Sequence, residues 1–192
     1  MLDGADIVIE NFKVGGLAKY GLDYPSLKDQ FPRLIYCSIT GFGQTGPYAP
    51  RAGYDFIVQG MSGLMSVTGD PEGQPQKSGV AITDLFTGGY ATTGILAALH
   101  QRAQTGKGQQ VDMALLDVAV AMTSNQGMNY LTSGTVPGRM GNAHVNLSPY
   151  QVFYCADGHI IFATGNDGQY ARLCELLGLD EMVSAPEFLR NS

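Results

Sequence analysis

The chain has 192 residues, enough for one domain or two small ones with a real core, and is 44% hydrophobic and 15% charged. No apolar run approaches the roughly eighteen residues of a membrane span, no basic-then-apolar leader is read at its start, and a net charge of −6 offers no basic stripe to nucleic acid. Three scattered cysteines, Cys37, Cys155 and Cys174, fit neither a disulfide framework nor a zinc site, which points to a reducing cytoplasm.

Ala5-Asp6-Ile7-Val8-Ile9-Glu10 is a nearly continuous apolar run, the pattern of a buried parallel strand. With no neighbour before it, the chain reads as entering an α/β unit in its middle. Leu22 to Phe31 is a turn leading into a short helix, with Ser26 as cap after Pro25 and Pro32-Arg33 as stop. Leu34 to Ile39 is a second buried strand, and strand, helix, strand at this spacing is a parallel crossover. The loop from Thr40 to Arg51 leaves the carboxyl end of that strand, the edge where open α/β sheets bind ligands. Its Gly41, Gly43 and Gly46 have dinucleotide-fingerprint spacing, but Pro47 and Pro50 stand where a helix would have to begin, so that reading is rejected.

Gly53 to Met65 has helical apolar spacing, and Gly69 to Ser78 is a surface loop. A short apolar run from Gly79 then ends in Thr83-Asp84, where an extended segment meets the first turn of a buried helix running to about Gln104. Thr105-Gly106-Lys107-Gly108 stops that helix, and Gln109 to Met113 is a brief strand. Ala114 to Leu131 reads as one long helix, apolar on nearly all faces and so buried within the protein or against a partner. Ser133 to Pro149 is a loop. Beyond it Tyr150 to Cys155 and His159 to Thr164 flank an Asp157-Gly158 turn as a hairpin. Gln169 to Leu177 is a short helix, and Pro186 to Arg190 starts another. The fold class is α/β, with a large domain over 1–135 and the start of a smaller α+β domain over 136–192.

Asp84 has two readings on these grounds. A Thr-Asp pair before an apolar helix is by itself a cap, and spacing alone favours that. The free amides and dipole of a helix N-terminus also hold negative charge, which suits an ionised nucleophile.

Seven stretches carry a resemblance: Glu10-Asn11-Phe12-Lys13, Thr40 to Pro47, Ala52-Gly53-Tyr54-Asp55, Ser62-Gly63-Leu64-Met65, Asp84-Leu85-Phe86-Thr87-Gly88, Gly106-Lys107-Gly108-Gln109 and Pro149-Tyr150-Gln151. In consistent order along essentially the whole chain, they resemble motifs of the family III CoA-transferases, which include formyl-CoA and carnitine CoA-transferases and the α-methylacyl-CoA racemases. The resemblance implies a central portion of a Rossmann-like large domain with buried helices, followed by part of a smaller domain, in an interlocked homodimer. It implies acyl-CoA and a small carboxylic acid as substrates, with no permanently bound cofactor, no metal, no nucleic acid and no membrane.

In that family the residue matching Asp84 is the catalytic aspartate. The resemblance therefore implies attack on an acyl-CoA thioester, an aspartyl mixed anhydride and then an aspartyl-CoA thioester. Tyr54 stands where the racemases carry a histidine base, and a phenol is a poor base near neutral pH, which favours the transferases. Tyr54 and Asp55 are then expected near the developing oxyanion or just behind the reacting groups, with a structural cap as the alternative for Asp55. Asn11, Phe12 and Lys19 match positions that line the nucleotide of CoA, and Arg51 lies near a further basic position of the family. Lys19 replaces a common arginine, so it would meet a phosphate as a point charge. His144-Val145-Asn146-Leu147 replaces a glycine-rich flap, making His144 and Asn146 candidates for a substrate loop, against the plain alternative of surface residues. The remaining alternatives are a racemase or epimerase, and a CoA-binding or dimer-forming fragment with no turnover.

Overall fold

Three parallel strands form the sheet: β1 (Ile7–Glu10), β2 (Ile35–Thr40) and β3 (Gln110–Ala114), in the order β1-β2-β3. The computed structural model describes residues 2–188. Ile7 lies opposite Ile35, and Tyr36 opposite Gln110. The central strand is the buried one: Ile35, Tyr36, Cys37 and Ser38 are nearly inaccessible. β1 corrects the expectation of a buried strand, since among the described residues it pairs on one side only and Ile9 is 60% exposed. An apolar run marks a strand but does not say how many neighbours cover it.

One face of the sheet carries α3 (Ile82–Thr105), whose Ala91, Ile95 and Ala98 pack on Ile35, Cys37 and Val111. Gly94 permits the approach, because a Cβ there would lie 2.9 Å from Val111 Cγ1. The other face is covered by α1 (Tyr24–Leu27) and its flanks, where Leu27, Leu34 and Tyr36 cluster with Tyr24 and Phe31. Ser26 does not cap α1: Asp23 holds the N-cap position and Pro25 lies in the first turn, where its missing N–H costs nothing. At the far end of α3, the Arg102 guanidinium donates to the Arg33 carbonyl at 3.0 Å and pairs with Asp6 at 3.0 Å. Gly106 then closes α3 in the left-handed conformation at φ 73°.

Two expectations about helices change. α3 is buried along one stripe only, Thr83, Thr87, Ala91, Ile95 and Ala98, while Leu85, Phe86, Tyr90 and Leu96 are exposed. The expected single helix over 114–131 is two, α4 (Leu115–Met122) and α5 (Ser124–Ser133), broken where Ser124 takes φ 45°. The Thr123 hydroxyl donates to the Val120 carbonyl at 2.7 Å and takes over the last turn of α4. α4 packs through Leu115 and Ala119 on Val58 of α2 (Asp55–Met61), whereas α5 buries no residue.

The chain divides into two compact units, Met1–Ser66 with Gln76–Val136, and Val67–Pro75 with Pro137–Ser192. The second contains the hairpin of β4 (Tyr150–Cys155) and β5 (Gly158–Ala163), α6 (Asp167–Leu177) and α7 (Asp180–Ser184). Asn166 caps α6 by accepting from the Gln169 N–H at 3.0 Å. Arg139 donates to the carbonyls of Asp70, Pro71 and Gly73 at 3.0, 3.3 and 2.8 Å, which holds the 67–75 segment in this unit. Pro186–Phe188 is a single 3-10 turn, and Arg190 of the expected last helix lies outside the described residues. Among the described residues no helix is long and apolar enough to cross a membrane.

Candidate active site

Parallel strands place all their carboxyl ends at one edge of a sheet, and the chain must turn there. After β2 the turn runs from Gly41 to Gly53. The backbones of these two glycines press directly on each other, and a Cβ on either would overlap the other's main chain. The Thr40 hydroxyl accepts from the Gly43 N–H at 3.0 Å, and Asp112 of β3 accepts from the Gln44 N–H at 2.9 Å. This return path sets Tyr54 and Asp55, the start of α2, over the end of β2 and beside the first turn of α3. A cleft of about 630 Å³ opens between the ends of β1 and β2, this return segment and the head of α3.

Asp55 organises that head. Its Oδ1 accepts from the Thr83 N–H at 2.8 Å, from the Thr83 hydroxyl in a very short bond, and from the Asp84 N–H at 3.4 Å. Its Oδ2 accepts from Gln59 Nε2 at 2.6 Å, and Gln59 Oε1 accepts from the Ser78 N–H at 2.9 Å. The N-cap residue of α3, Ala81, has no side chain to offer, so a carboxylate from another helix satisfies the free amides. Burial alone would push the Asp55 carboxyl up; the hydrogen bonds from Thr83, Gln59 and Asp84 outweigh it and hold the carboxyl below its ordinary value.

Asp84 therefore lies within the first turn of α3, two residues past its start, and is not the cap. Among the described residues no hydrogen bond reaches its carboxylate. Partial burial, and then the charge of Asp55, push its carboxyl above the ordinary value. The head of α3 thus meets two carboxylates shifted in opposite directions: Asp55 of α2, which caps it, and its own Asp84.

The cleft brings together Asn11, Phe12, Arg51, Tyr54, Asp55 and Asp84. Tyr54 is 70% exposed there, and the Arg51 guanidinium lies 4.3 Å over the ring of Tyr48. Lys19 is not among the lining residues; its ammonium sits 4.8 Å over the ring of Tyr20 in a 3-10 turn, Ala18–Tyr20. His144 and Asn146 belong to the other unit, where the Asn146 N–H donates to His144 Nδ1 at 3.1 Å and the imidazole lies 5.0 Å from the ring of Tyr150. Sequence reading missed Lys13, a second cation on the cleft wall, and Gln59. Lys13 follows Asn11-Phe12 directly. Gln59 sits four residues after Asp55, the helical spacing that puts two side chains on one face.

A cleft at the carboxyl edge of a parallel α/β sheet is where open α/β folds bind their ligands, and here it holds the Asp84 carboxylate. The chain belongs to CoA-transferase family III, whose pattern matches residues 1–192. It is 61% identical to the succinate–glutarate CoA-transferase of Agrobacterium fabrum over 187 residues, covering 97% of this chain and 47% of that one. It is 44% identical over 186 residues to the succinyl-CoA:glutarate CoA-transferase of Homo sapiens, covering 97% and 42%. The crystal structure of a CAIB/BAIF family protein from Brucella suis superposes with a TM-score of 0.82 at 60% identity, covering 98% of this chain and 50% of that one. Rv3272 from Mycobacterium tuberculosis gives 0.84 at 32% identity, with 98% and 50% coverage. The chain spans about half the length of the curated relatives it matches.

Proposed function

We propose that the gene product carrying this sequence is an acyl-CoA:carboxylate CoA-transferase acting on dicarboxylic acids, with Asp84 as its nucleophile. The observation that carries this reading is the division of labour at the head of α3. Asp55 does the capping, which leaves the Asp84 carboxylate free in a cleft with cationic groups on its wall.

An Asp84 oxygen attacks the thioester carbonyl, the C–S bond breaks, and CoA leaves as thiolate from a mixed anhydride. The thiolate then attacks the Asp84 carbonyl, releases the donor acid and leaves an aspartyl-CoA thioester. The acceptor carboxylate runs both steps in reverse, so Asp84 is regenerated with no net proton or electron transfer. A partly desolvated carboxylate is the better nucleophile. In this reading CoA runs along Asn11 and Phe12, with Arg51 and Lys13 as partners for its anionic groups. Tyr54, a phenol with one donor, faces the reacting carbonyl.

The choice of dicarboxylates follows the names of the relatives: succinate and glutarate above, oxalate for the acetyl-CoA:oxalate CoA-transferase of Acetobacter aceti at 39% identity over 192 residues. Succinyl-CoA and glutarate are incubated with the purified gene product, and glutaryl-CoA is followed by chromatography. Asp84→Asn is expected to lose on the order of 10³-fold or more in kcat. Mass spectrometry is expected to find the CoA thioester on the peptide containing Asp84. Undiminished transfer by the variant overturns the assignment. Deuterium exchange at the α-carbon without exchange of acids favours the racemase instead. The interlocked homodimer belongs to the same reading, and sedimentation of the gene product tests it.

A further inference from the structure

Gln59 is fully buried, yet both ends of its carboxamide are in use. The Ser78 N–H only donates, so the amide oxygen must face it, and the NH₂ is thereby turned onto Asp55 Oδ2. The side chain so bridges the start of α2 to the segment leading into α3, 19 residues further along the chain. A buried amide earns no packing advantage over Leu or Met of similar volume, and its value lies in where it points.

We propose that Gln59 is a positioning residue for the transfer reaction: it keeps the Asp55 carboxylate ionised and aimed at the head of α3, and through that cap fixes how Asp84 faces the cleft. The proposal rests on Asp84 being the nucleophile. The charged groups around the pair are few. From α3 the pair meets Asp84; from the segment before α3 comes Lys77, its ammonium 5.9 Å from the ring of Phe56; α4 carries the exposed Asp117; Arg51, Lys13 and Glu10 of β1 share the cleft wall.

Three variants of the full gene product test it. In Gln59→Glu the new carboxyl can donate to Asp55 only while protonated, and two carboxyls at this distance share one proton. Transfer is expected to stay near the wild-type level at about pH 5 and to fall on the order of tenfold relative to wild type by about pH 8. The double variant Asp55→Asn/Gln59→Glu rebuilds the pair with roles exchanged: the new amide donates to the new carboxylate and still accepts from Thr83. Its profile is expected to run parallel to that of the wild type. A Gln59→Glu profile parallel to the wild type, or a loss equal at every pH, overturns the proposal.

Gln59→Met supplies a measurement independent of turnover and of how well Gln59→Glu folds. Carbon-13 NMR is expected to show Asp55 titrating at higher pH than in the wild type, and an unchanged titration overturns the proposal. Failure of the CoA-transferase reading looks different: wild type itself gives no transfer, while the NMR comparison still decides the role of Gln59.

Discussion

Replacing Asp84 by Asn removes a negative charge that the first turn of α3 holds against partial burial and against the charge of Asp55. Because the folded carboxyl titrates above its unfolded value, near 3.9, its contribution to stability is present below that pH and lost as pH rises through the folded value. At neutral pH the ionised group therefore costs stability. Asp84→Asn is expected to raise the melting temperature slightly at pH 7, read by calorimetry; solvent screening keeps the rise small. Asp55 has the opposite sign. Its carboxyl is held below the ordinary value, so its contribution is present above that value and lost as pH falls through the folded one. Asp55→Ala is expected to cost about 1–2 kcal/mol at pH 7, the worth of a helix cap. Denaturant unfolding should show the gap between variant and wild type closing in acid.

At the scale of elements, two glycines of α3 separate close packing from helix propensity. Gly89 has nothing within 4 Å of where a Cβ would sit, so Gly89→Ala is expected to stabilise by about 0.5–1 kcal/mol. At Gly94 the same methyl meets Val111 Cγ1, whose β-branched side chain cannot swing away, and overpacking of about 1–3 kcal/mol outweighs the propensity gain. The two variants should move the unfolding midpoint in opposite directions. Both strands flanking α1, the helix over Ile82–Thr105 and the hairpin were legible in the sequence: the strands as short apolar runs, the helix by its spacing and its Gly106 stop, and the hairpin by its Asp157-Gly158 turn. The break between α4 and α5 was not. No Gly or Pro stands at Thr123-Ser124 itself; the polar stretch Thr123 to Gly127 does part the apolar run of α4 from Met128, Tyr130 and Leu131, but a polar stretch of that length also fits the exposed side of one continuous helix. The partial exposure of β1 was hidden for a related reason: coverage of a strand is a tertiary property.

At the scale of the whole molecule, the 192 residues leave Leu85, Phe86, Tyr90 and Leu96 of α3 and Met128, Tyr130 and Leu131 of α5 exposed. Apolar surface of this extent promotes association. The chain is expected to sediment as more than a monomer, and Leu96→Lys with Leu131→Lys to shift it towards one. The candidate site was legible in part. Asp84 and its cleft neighbours lie in short motifs, so they could be named from sequence, and Asn11, Arg51 and Tyr54 do converge. The role of Asp55 as cap for a helix 28 residues away was not legible, since it depends on how the Gly41–Gly53 return folds. That borrowed cap also links two motions. The amide hydrogens of Thr83 and Asp84 are sheltered by a group on α2, so whenever α2 opens they lose their protection along with its own. Their exchange with deuterated solvent should follow the opening of α2, leaving the middle of α3 protected, and the head of α3 would thus behave as part of its neighbour.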